Sequence, residues 1–118
     1  MSYDITLTDP VTKDTISFDA PHQMRGGTYV RVGTDQAWLN ITYNHAQHFR
    51  KVLGEHGIRT IYGLSGAEST PLLASAIAAL GDDAHVDYWT ATEGNAKRAL
   101  RQLLAMAQLR PDGIWDGD

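Results

Sequence analysis

Along the first third of the chain, apolar and polar side chains alternate. In YDITLT, Tyr3, Ile5 and Leu7 alternate with Asp4, Thr6 and Thr8, the period of a half-buried strand. The turn-forming DPVTKD follows, then TISF repeats the alternation with Ile16 and Phe18. These segments predict a first hairpin. TYVRV, the turn GTDQ and AWLNITY predict a second, with Leu39, Ile41 and Tyr43 on one face and Trp38, Asn40 and Thr42 on the other.

Beyond Tyr43 the period lengthens to that of a helix. Asn44 is placed to cap one, with Gln47 three residues on; Phe49, Val52 and Leu53 form its apolar stripe, and Gly57 follows its end. IRTIYG is short, β-branched and closed by Gly63, which predicts a later strand. A second helix begins at one of two caps: Ser65 with Glu68 as a capping box, or Thr70 with Pro71 in the first turn. Leu73, Ala76, Ile77 and Leu80 give it a buried stripe that Gly81 ends. A third helix starts with Thr90 and Glu93 as a capping box and stops before Pro111. Leu100, Leu103, Leu104 and Ala107 form its buried face, with Lys97, Arg98, Arg101 and Gln102 mostly opposite. Strands first and helices later predict an α+β fold: an antiparallel sheet from N-terminal hairpins plus one later strand, packed by about three helices.

Length sets this as a single domain spanning residues 1–118. Hydrophobic content of 42% and charged content of 20% are those of a globular protein. The longest apolar and small run, residues 71–81, is too short to span a bilayer. MSYDITLTDP shows no basic region followed by an apolar one, so no signal peptide is expected. Absence of cysteine removes disulfides and thiolate chemistry and fits a cytoplasmic location. The net charge of -4 argues against a general nucleic-acid binder. Residues 21–81 are nevertheless net positive, which leaves room for a local basic pocket.

Two segments carry candidate binding chemistry. In PHQMRGGTY the backbone amides of Gly26 and Gly27 can form an anion-binding concavity, with His22 and Arg25 as charge-assisted donors and Tyr29 beside them. The bland alternative is a glycine turn entering a strand. In DYWTATEGNAKRAL, Tyr88 and Trp89 precede a helix N-terminus, where free amides and the dipole suit phosphate or carboxylate. The aromatic pair can stack a planar ligand, and Thr92 and Asn95 offer polar groups. Gly94 and Asn95 are poor early-helix residues unless a ligand or another backbone comes close. A structural cap with a core Trp89 is the competing reading.

Other constellations are weaker. His45, His48 and His56 do not match zinc-ligand spacing, so no metal is expected, and no cofactor motif is present. His85 falls in a solvated loop. Trp115, near the end of GIWDGD, either docks on the core or reaches a neighbouring subunit; Asp116 and Asp118 either meet Arg25 or Arg59 or are solvated. Ser65 in GLSGA matches a nucleophile motif only loosely, and the chain is short for a hydrolase of that class.

At WLNITYN, GIRTIYGLSGAES, DYWTATEGNAKRAL and RPDGIWDGD, and in PHQMRGGTY, the chain resembles a family of small proteins of phages and prophages. The resemblance covers nearly the whole chain. It implies context rather than residue roles: small phage accessory proteins often interfere with host machinery, including defence systems, in the host cytoplasm. The expectation is therefore a binder rather than an enzyme. Its ligand is expected to be small and anionic or nucleotide-like, a host defence signal that the protein sequesters as a homo-oligomer. An inhibitor that binds a host defence enzyme is the alternative, and a small hydrolase or transferase using His22 or Ser65 is the third reading.

Overall fold

A computed structural model describes residues 1–22, 34–87 and 89–118. Its organising strand is β1 (Ser2–Thr8). β4 (Trp38–Thr42) and β5 (Ile114–Gly117) pair antiparallel with β1 on either side, in the order β4-β1-β5. The register sets Tyr3 opposite Ile41, Ile5 opposite Leu39 and Leu7 opposite Trp115. The buried members of three strands thus share one face, as the alternation requires. β2 (Ser17–His22) and β3 (Thr34–Gln36) form a second, two-stranded sheet. Ile16 joins the two sheets: its N–H donates to Leu7 O at 2.9 Å and its carbonyl accepts from Ala37 N–H at 2.7 Å.

α1 (Ala46–Leu53), α2 (Gly66–Ala79) and α3 (Glu93–Leu109) complete an α+β fold. Phe49 of α1, Leu73 and Ala76 of α2, and Ala99, Leu100, Leu103 and Met106 of α3 share one core with the buried sheet face. Among the described residues no helix is long and apolar enough to cross a membrane.

The elements depart from the sequence reading in instructive places. IRTIYG is not a strand: Gly57–Ile61 forms a 3-10 turn. Ile58 and Ile61 are both buried, and a separation of three residues fits a helical turn rather than alternation. The later strand is instead β5. Its Trp115 N–H donates to Leu64 O and its carbonyl accepts from Gly63 N–H, both at 2.9 Å, on the side away from β1. Trp115 docks on the core, 1% exposed, with its indole N–H donating to Ser69 Oγ at 2.7 Å.

The first two predicted strands meet through the 9–14 turn and a bridge between Thr8 and Thr15, then part, because both edges of β1 are taken by β4 and β5. TYVRV lies outside the described residues. Of the two α2 caps, the Ser65–Glu68 box forms, with bonds of 3.0 and 2.9 Å, and Pro71 lies inside the helix. Asn44 does not cap α1. Thr42 caps a short 3-10 turn, Tyr43–His45, that precedes it.

Candidate functional site

Among the described residues the 80–92 connection has no regular structure, yet side chains of α1, α3 and the 3-10 turn before α1 brace it. Asn95 is the centre of this bracing. It is 1% exposed; its Oδ1 accepts from His85 N–H at 3.3 Å. Its Nδ2 donates to Asp87 O at 3.1 Å and Thr90 O at 2.9 Å. One amide therefore satisfies three backbone groups that face away from any helix or sheet ladder. Asn44 Nδ2 donates to Trp89 O at 2.9 Å, and His48 Nε2 lies 3.0 Å from Ala91 O. A carbonyl only accepts, so that imidazole carries its proton on Nε2.

The loop's start is held as firmly. Lys97, 8% exposed, places its ammonium 2.7 Å from Asp82 Oδ1. This corrects its expected place on the solvated face: Lys97 lies three residues before Leu100, at the edge of the buried stripe. The Lys97 hydrogen bond and charge hold the Asp82 carboxyl below the usual range. Glu93 Oε1 accepts from Gly81 N–H and from Lys51 Nζ, both at 3.4 Å, and its carboxyl is likewise lowered, first by the Gly81 amide and then by Lys51.

Gly94 is explained by backbone rather than by ligand. Its N–H donates to Asp83 O at 3.1 Å, and a Cβ there would fall 2.7 Å from Ala84 N and from Asp83 C. No side chain fits. The cap of α3 is Thr92 rather than Thr90: its Oγ accepts from Asn95 N–H at 3.2 Å. Thr90 instead offers its carbonyl to the Asn95 amide. Two of the first three helical amides are thus bonded inside the protein, and the Glu93 carboxylate already faces the dipole. This helix end is closed from within rather than open to an anion.

The loop displays two large apolar side chains among exposed Asp82, Asp83, His85 and Asp87. Val86 is 99% exposed and Trp89 41% exposed. Of the residues singled out from sequence, Trp89, Thr92 and Asn95 come together here. Arg25, Gly26, Gly27, Tyr29 and Tyr88 lie outside the described residues, and His22 is described only as the end of β2, paired with Thr34. Lys97, Asn44 and His48 brace the loop without having been singled out for it. Asn44 lies in the 3-10 turn before α1 and His48 on α1 itself. Nothing local linked Lys97 to Asp82.

The remaining polar groups have structural duties. Ser65 caps α2, which ties its hydroxyl to Glu68 N–H. His45 is buried, His48 holds Ala91, and His56 stands exposed beside Glu55 at 3.5 Å. Among the described residues no three His, Asp or Glu side chains gather as a metal site. No protein-family model matches the chain, and no curated protein or solved structure matches it either.

Proposed function

We propose that the chain is a phage-type accessory protein that works by stoichiometric binding, with the braced 80–92 loop as its recognition element. The observation that carries this is the pairing of Val86 and Trp89, both exposed, with a backbone fixed by Asn95, Lys97, Asn44 and His48. A loop that served only as a connection needs no such bracing. Recognition loops are carried on rigid scaffolds, and an aromatic held in place loses little entropy on binding. The partner best suited to a valine and an indole is an apolar patch on another protein, here a host defence enzyme.

A nucleotide-like ligand is the second reading. The exposed Trp89 ring favours it as a stacking face, with Tyr88 as the other candidate for stacking, His22, Arg25 and the Gly26 and Gly27 amides for the negative charge, Tyr29 beside them, and Thr92 and Asn95 for polar edges. Calorimetry against a nucleotide panel and capture of a purified defence enzyme separate the two. The first reading expects enzyme binding that Val86→Ser and Trp89→Ala abolish and Arg25→Ala leaves intact. Nucleotide binding lost with Arg25→Ala supports the second reading and contradicts the first.

Self-association belongs to the same proposal. The exposed side of α2 carries Ala67, Pro71, Leu72, Ala74, Ala78 and Ala79, with Glu68 as its one charge. An outward helix face so poor in charge is suited to a second copy. Light scattering is expected to report an oligomer that Leu72→Glu dissociates; a monomer at high concentration contradicts it.

A further inference from the structure

Arg59 stands on the 3-10 turn Gly57–Ile61, exposed. Its guanidinium lies 5.0 Å from the centre of the Tyr3 ring and 5.8 Å from that of Tyr43. Nη2 donates to Tyr43 Oη at 3.3 Å, and Nε donates to the main-chain oxygen of Asp118 at 2.9 Å. Tyr62 Oη approaches the same oxygen at 3.5 Å. The Tyr62 ring lies so close to Gly117 that a Cβ on the glycine would collide with Tyr62 Cζ.

Although exposed, this charge is held by its neighbours. Two phenol rings flank the guanidinium, the Tyr43 hydroxyl accepts from it, and the Tyr62 hydroxyl meets it only through the Asp118 oxygen they share. A guanidinium fork matches two oxygens of a phosphate or carboxylate, yet the single oxygen of Asp118 engages only Nε. Among the described residues no side-chain carboxylate pairs with Arg59. Burial, reinforced by the Asp118 charge and opposed by Arg59, pushes the Tyr62 hydroxyl up to about 12, so it remains a donor at neutral pH.

We propose that Arg59, Tyr43 and Tyr62 form a binding site for a phosphate monoester bearing a flat ring, and that Gly117 and Asp118 occupy it as an internal placeholder. The phosphate takes the Asp118 oxygen's place on the guanidinium. The ring takes the place of the Gly117 peptide against Tyr62, where a residue without a side chain already lies. This site is separate from the 80–92 loop and stands or falls without it.

Phenyl phosphate and inorganic phosphate, titrated into the full chain and into a chain ending at Asp116, test this by amide chemical shifts. The shortened chain is expected to bind phenyl phosphate at least about tenfold more tightly than the full chain, and Arg59→Met in the shortened chain to abolish binding. Equal affinities, no binding by the shortened chain, or binding that survives Arg59→Met overturns the proposal. Inorganic phosphate binding as tightly as phenyl phosphate overturns the ring contact. Should the shortened chain lose its dispersed spectrum, the full chain decides. Phenyl phosphate must then shift the Arg59 Nε–H and Asp118 amide signals together, and signals unmoved at about 50 mM ligand overturn the proposal.

Discussion

Replacing Asn95 with alanine removes three hydrogen bonds at once: His85 N–H loses its side-chain acceptor, while Asp87 O and Thr90 O each lose one of two donors and keep Thr90 N–H and Thr92 N–H. Each such bond contributes about 0.5–1.5 kcal/mol net. These backbone groups belong to exposed residues, so water recovers part of the loss, and about 2.5 kcal/mol is a reasonable sum. Alanine is the better helix former by roughly 0.5 kcal/mol, which leaves a net loss of about 2 kcal/mol. For a domain of this length that lowers Tm by roughly 8 °C. The sign is the informative part. If Asn95 were merely an early helix residue, alanine would stabilise, and Asn95→Asp would stabilise through the dipole. The loop account expects both to destabilise, because an aspartate turns a carboxylate toward two carbonyls. Thermal unfolding followed by circular dichroism, with hydrogen exchange at the His85 amide, decides. An unchanged or raised Tm with unchanged His85 protection in either variant refutes the reasoning.

Other outcomes follow from the same contacts. Gly94→Ala is expected to lower the urea midpoint despite alanine's helix preference of about 1 kcal/mol, because its Cβ would meet the 83–84 backbone at 2.7 Å; a raised midpoint contradicts the close approach. Trp115→Phe loses the bond to Ser69 and leaves a small void, at a cost of roughly 1–3 kcal/mol by denaturant titration; no measurable loss contradicts its place in the core. Asp9, Glu68, Asp82, Glu93 and Asp112 all have carboxyls held below their usual range. The causes are the Thr12 and Val11 amides, the Ser65 amide, Lys97, the Gly81 amide with Lys51, and Arg110, respectively. Their contribution is present above the unfolded carboxylate pKa of about 4 and is lost as pH falls through the lowered values. Urea midpoints are therefore expected to drop between about pH 5 and pH 3, less steeply in Glu93→Gln; a rise on acidification contradicts the assignment.

The sheet face was legible because one face is buried: Tyr3, Ile5, Leu7, Leu39 and Ile41 alternate as they pack. The helical stripes of α2 and α3 were legible for the same reason. What escaped is non-local. Ile58, Thr60 and Ile61 have strand propensity, but the core takes Ile58 and Ile61 at a three-residue spacing, and that spacing, not the propensity, decides the segment. β5 depends on pairing with β1, more than a hundred residues earlier in the chain, and on the Gly63 amide and the Leu64 carbonyl. At the site, Gly94 and Asn95 were recognisable as breaches of helix preference. Their cause was not, because it lies in the geometry of the loop they hold. A position hostile to helix and yet helical marked the place where the backbone of another segment comes closest.

The central claim is that the 80–92 loop is the contact surface. Placing a photoreactive side chain at Val86, and separately at Val11 as a second exposed valine on the 9–14 turn, tests it most directly. With a purified host defence enzyme present, cross-linking is expected from position 86, absent from position 11, and lost when Trp89→Ala is added. Equal cross-linking from both positions, or from neither while the enzyme still binds, contradicts the claim.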